Sequence, residues 1–97
     1  MALEITYYTQ AVNNMNHYGL PITSETRTAS GTSAQSGATP ANAVTIHIRS
    51  TANNRYAYGS NPTATATAGD NGHYIASGET IDIQAVSGHK IAVITAA

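Results

Sequence analysis

The chain has 97 residues, a formal net charge of -1, and charged side chains at only 9% of positions, against about a quarter in an ordinary domain. A chain this short forms one domain and buries only about 60–65% of the surface its unfolded form exposes. That core is thin here: the apolar fraction is 41%, but 17 of those residues are Ala, and Phe, Trp and Cys are absent. Disulfides are therefore excluded, and no Cys/His cluster has zinc-ligand spacing, so association with other molecules is the expected remedy for a small core.

The N-terminal MALEITYYTQ has neither the basic segment nor the apolar run of a signal peptide. Within it LEITYYT, residues 3–9, reads as a strand, with Leu3, Ile5 and Tyr7 on one side. Residues 10–18, QAVNNMNHY, allow one short helical turn at most. Elsewhere Thr, Gly, Asn, Ser and β-branched residues dominate and no segment holds helical spacing for two turns. Residues 23–43, TSETRTASGTSAQSGATPANA, have the composition of a linker, and 23–36 are expected to be extended, as an edge strand or an arm laid on a partner.

Clearer strands follow. In AVTIHIRST, Val44, Ile46 and Ile48 alternate with Thr45, His47 and Arg49, which places His47 and Arg49 outward. TANN, residues 51–54, reads as a hairpin turn leading into NRYAYGS, with Tyr56 and Tyr58 on one face. In YGSNPTATATAGDNGHY, residues 58–74, Thr63, Thr65 and Thr67 share one face of an extended segment and Ala64, Ala66 and Ala68 the other. The small alanines let another layer approach closely, and the threonines suit a face turned to solvent or a partner; an edge strand is the expectation. ETIDIQAVSG is a strand with Ile81 and Ile83 inward, Ser87-Gly88-His89 a turn, and KIAVITA a strand covered on both faces.

Turn signals spaced every 8–12 residues or so predict an all-β fold: a compact antiparallel β-sandwich or jelly-roll-like barrel of about seven or eight strands. In this reading residues 1–43 supply an extended N-terminal arm and edge segments, and 44–97 the core strands. Removing residues 1–22 would then weaken attachment more than it damages the sheet.

Catalysis and metal binding find little support. Of the five acidic residues only Glu79 and Asp82 are close in sequence, one at a turn and one on an outward strand position. His17, His47, His73 and His89 lie in four separate segments without ligand-like spacing. No enzyme, metal or cofactor is expected. Low positive charge argues against nucleic acid and anionic membrane as partners, and no window approaches the roughly 20 apolar residues of a membrane span. An ice-binding threonine array is disfavoured because no repeat extends the three threonines. The residues best suited to partner contacts are Arg49, Arg55 and Tyr58, which combine area with directional bonding, together with Thr63, Thr65 and Thr67.

Three pieces in order, Tyr56-Ala57-Tyr58-Gly59-Ser60-Asn61-Pro62-Thr63-Ala64-Thr65, then Tyr74-Ile75-Ala76-Ser77-Gly78-Glu79, then Val86-Ser87-Gly88-His89-Lys90-Ile91-Ala92-Val93-Ile94, resemble small all-β virion proteins of tailed bacteriophages. The match covers about two-fifths of the chain. The connection Gly69 to His73 is longer than that family's usual link, and residues 1–22 have no counterpart. The resemblance implies a capsid decoration, or cement, protein: a homo-oligomer, by preference a trimer, bound to the major capsid protein on the outside of the head and assembled in the host cytoplasm. A tail, neck or fibre component is the nearest rival, and a surface carbohydrate-binding module the next.

Overall fold

A computed structural model describes residues 2–9, 21–67, 69 and 71–96. The described residues contain eight strands and no helix: β1 Ala2–Tyr8, β2 Pro21–Thr28, β3 Ala34–Gln35, β4 Thr45–Ser50, β5 Asn54–Gly59, β6 His73–Ile75, β7 Thr80–Gln84 and β8 Lys90–Thr95. They form two four-stranded antiparallel sheets, ordered β2-β1-β4-β7 and β3-β8-β5-β6. The all-β expectation holds and the arrangement is sandwich-like. The helical turn considered for residues 10–18 lies outside the described residues.

Strand periodicity explains the core. Leu3, Ile5 and Tyr7 of β1 and Ile46 and Ile48 of β4 point inward from the first sheet, and Ile75, Ile91 and Val93 point inward from the second. These side chains meet in one cluster between the sheets, and Ile81 and Ile83 of β7 pack on it from the edge, as their alternation requires. Val44 departs from its expected inward place. It stands one residue before β4 begins and is 42% exposed, so the correct parity does not bring it under the second sheet.

The segment read as an arm is part of the body over its described length. β1 is an interior strand, hydrogen-bonded to β2 on one side and β4 on the other. β2 and β3 are edge strands of the two sheets, the first of the two alternatives for 23–36. The long β2 edge carries Glu25 and Arg27 on its core-facing side, opposite Ile5 and Leu3, an inward placement of charge that discourages pairing with a stray strand. Glu25 is satisfied there: its Oε1 accepts the Gly37 N–H at 2.9 Å.

The TANN hairpin is not formed. Both sides of β4 are taken by β1 and β7, and β5 belongs to the other sheet, so residues 51–53 turn a corner between layers. The corner is fastened from inside, because Ser50 and Asn54 are wholly buried and the Asn54 Nδ2 donates to Ser50 Oγ at 2.9 Å. This bond and the donation from Ser50 Oγ to the Ala52 carbonyl offset part of the burial cost, while the Asn54 Oδ1 is buried without a partner. Five of the seven connections change sheet in this way: β2–β3, β3–β4, β4–β5, β6–β7 and β7–β8. Two of them are four-residue turns of one design, Ala76 to Glu79 and Val86 to His89, each closed by the fourth N–H on the first carbonyl with glycine third at φ +83°.

Candidate docking surfaces

Each sheet has an outer face, and the two differ in construction. On the first sheet the residues between the core-facing ones line up across the strands. Thr26, Glu4, Arg49 and Thr80 form one row, all exposed, and Ser24, Thr6, His47 and Asp82 form the next. Four of these eight side chains are hydroxyls, Thr26, Thr80, Ser24 and Thr6. Its charges are paired across strands: Arg49 Nη1 donates to Glu4 Oε1 at 3.0 Å, and His47 Nδ1 lies 2.9 Å from Asp82 Oδ1. With side-chain exposures of 54% and 47%, the Arg49–Glu4 pair contributes little to stability and remains accessible to a partner.

The outer face of the second sheet is covered. Residues 60–67 leave β5, cross Ala57, Ala92 and Ile94, and return through Asn71 and Gly72 to β6. Pro62 and Ala64 are buried beneath this strap and Ala66 is half-buried, whereas Thr63, Thr65 and Thr67 are exposed. The threonine and alanine faces are therefore divided over residues 63–67 as the alternation predicts; Ala68 lies outside the described residues. The expected edge strand is not formed, because the strap's bonds go elsewhere than to a ladder. Gln35 Nε2 donates to Asn61 Oδ1 at 2.9 Å and to the Pro62 carbonyl at 2.8 Å, the Ala64 N–H donates to Ser33 Oγ at 2.9 Å, and the Thr65 N–H donates to the Asn71 carbonyl at 2.9 Å. Alanine is needed under the strap because a larger side chain would hold the two layers apart. The strap is also what gives β8 its continuous apolar run: Ile91 and Val93 face the central core, Ala92 and Ile94 the strap.

The strap's return is locked by Arg55, which stands on this outer face. Its Nη1 donates to the Gly72 carbonyl at 2.7 Å and its guanidinium carbon lies 5.2 Å from the centre of the Tyr74 ring, a cation–π contact. A Cβ on Gly72 would collide with the Thr67 carbonyl oxygen and come within 2.8 Å of Thr65 Oγ1 and 2.9 Å of the Thr65 carbonyl. Gly72→Ala is expected to cost about 1–3 kcal/mol, the range for overpacking against an unyielding neighbour. Urea unfolding measures it, and an unchanged midpoint would show that the strap does not close on Gly72.

Tyr58 is half-buried rather than free on the surface. It faces the central core, its hydroxyl accepts the Val86 N–H at 2.8 Å, and its ring meets His89 edge-on at 5.4 Å. Tyr56, on the same face, lies 5.4 Å from the His73 ring. Burial pushes the phenols of Tyr7 and Tyr56 above the ordinary tyrosine range, so both are neutral at neutral pH.

The six residues expected to meet a partner are thus not one site. Arg49 is on the outer face of the first sheet, Thr63, Thr65 and Thr67 are on the strap at the opposite side, Arg55 is engaged in closing that strap, and Tyr58 is half-buried with its ring against the core. Glu79 and Asp82 do not work as a pair: Glu79 Oε1 accepts the Ala76 N–H of its own turn at 2.8 Å, and Asp82 faces His47. Among the described residues no three His, Asp or Glu side chains converge to hold a metal ion; His17 and Asp70 lie outside them. The contribution of Ser33, Gln35 and Ser36 was hidden in a serine-rich stretch. Ser36 pairs with β8 through its N–H to the Ile91 carbonyl at 2.7 Å and its Oγ from the Ile91 N–H at 2.9 Å.

No family model, no curated protein and no solved structure matches the chain.

Proposed function

We propose that this chain is a structural protein of a virion surface, a capsid decoration protein that seats on the major capsid protein through the outer face of its first sheet. The observation that carries the proposal is the exposed row Thr26, Glu4, Arg49 and Thr80, which spans all four strands of the first sheet with its arginine on an interior strand. Such a row offers threonine hydroxyls on its outer strands and, on an interior strand, an arginine that supplies the directional contact. The sequence resemblance, whose three pieces span β5, the strap, β6 and β8, points to the same reading.

Mechanically, copies seated across the boundary between neighbouring capsid subunits add interface area there, so pressure from packaged nucleic acid must break more contacts before the shell opens. Trimers are the preferred form of the seated protein, in keeping with a core too thin to give a lone copy a wide stability margin.

The test is co-sedimentation of the purified chain with emptied phage heads. Wild type is expected to pellet with the heads. Arg49→Glu, which sets a carboxylate against Glu4 and reverses the arginine's charge, is expected to weaken binding at least about tenfold, with thermal unfolding changed by no more than an exposed ion pair allows, about 1 kcal/mol. Equal binding by both proteins would remove the first sheet's face from the docking role.

A further inference from the structure

Three large apolar or aromatic side chains are exposed among the described residues, Val44, Tyr74 and Val86, and Tyr74 is the aromatic one, at 49%. We propose that Tyr74 is the platform of a binding site for a neutral pyranose unit, completed by the hydroxyl and amide groups of Thr65, Thr67 and Asn71.

The platform is held in place before any ligand arrives. Tyr74 lies on the three-residue edge strand β6, with the Arg55 guanidinium over one side of its ring and Arg55 itself tied to the Gly72 carbonyl. A ring fixed in this way loses little freedom on binding, which raises the affinity of a weak contact. Polar groups of the strap's return lie beside Gly72, on the approach to β6. The Thr65 N–H binds the Asn71 carbonyl, the Thr65 hydroxyl donates to the Thr67 carbonyl at 3.1 Å, and both threonines crowd Gly72, two residues before Tyr74. Thr65, Thr67 and Asn71 are all exposed.

A pyranose fits this chemistry on both counts. One of its faces is a patch of weakly polarised C–H bonds, which stack on the electron-rich face of an aromatic ring. Its rim carries hydroxyls that both donate and accept, as do a threonine hydroxyl and an asparagine amide. A nucleobase would stack as well, but its phosphates need cations, and the one cation near this ring is already engaged with the Gly72 carbonyl and the ring itself. The site is on the opposite side of the molecule from the Arg49 row and does not depend on the decoration reading, because sugar binding is measured on the free protein.

The experiment is an amide-resolved NMR titration of the full chain with methyl β-D-glucopyranoside, methyl β-D-galactopyranoside and maltotriose. At least one is expected to give saturable shifts centred on Tyr74, Thr65, Thr67 and Asn71, with millimolar affinity. Tyr74→Ala is expected to weaken that binding about tenfold and Tyr74→Trp to keep it. If Tyr74→Ala loses the folded spectrum, Asn71→Ala takes its place and is expected to weaken binding as well. Absence of saturable shifts at these four residues with all three sugars, or shifts that survive both alanine variants, would overturn the proposal.

Discussion

A chain lacking residues 1–9 is expected to show no cooperative unfolding transition. β1 lies between β2 and β4, so its loss leaves β2 without a ladder and opens one side of β4. Three fully buried side chains leave with it, Leu3, Ile5 and Tyr7. Truncating one such side chain costs about 2–5 kcal/mol, and a domain of this size has about 5–15 kcal/mol in total. Circular dichroism followed through a thermal ramp decides the matter. A cooperative melt would mean that the sheet stands without its first strand and would restore the reading of the N-terminus as an arm; a featureless ramp makes attachment and folding inseparable in such a truncation.

Ile48→Ala is expected to remove about 2–5 kcal/mol of stability. The side chain has no exposed surface, sits in an interior strand, and lies between its ladder partners Ile5 and Ile81. The surrounding core is built largely from isoleucine and valine, whose stiff side chains collapse poorly into a cavity. Val44→Ala is the matched control: it has the same parity, but at 42% exposure it is expected to cost no more than about 0.5 kcal/mol. Urea midpoints at constant slope give both values. Comparable losses at the two positions would contradict the placement of the core between the sheets.

Features set by a residue's own neighbours could be read from the sequence, and features set by sheet membership could not. The alternation Leu3-Ile5-Tyr7, the paired Ile81 and Ile83, and the threonine and alanine faces of 63–67 follow from a side-chain period of two. The run Ile91 to Ile94 announced a strand buried on both sides. TANN misled because a turn-forming composition fits a hairpin and a corner between sheets equally well; what separates them is that β4 already has two partners, a fact located at β1 and β7. Tyr56 and Tyr58 do share a face, but periodicity does not say whether that face is inner or outer, and theirs is inner. Serine-rich 30–37 looked like linker because its bonds reach far along the chain, Ser33 to Ala64 and Ser36 to Ile91. No local spacing encodes such contacts. Of the partner-facing candidates, Arg49 could be placed from strand phase alone, whereas the engagement of Arg55 with Tyr74 and Gly72 needed the strap to be folded over the sheet.

The most direct test is a cryo-electron microscopic reconstruction of phage particles mixed with the purified chain. The account predicts a regular lattice of its density over the outside of the head, with the Arg49 row against the major capsid protein and the threonine-bearing strap turned outward. Density confined to the tail or neck, or a head lattice that turns the strap inward and leaves the first sheet facing solvent, would contradict it.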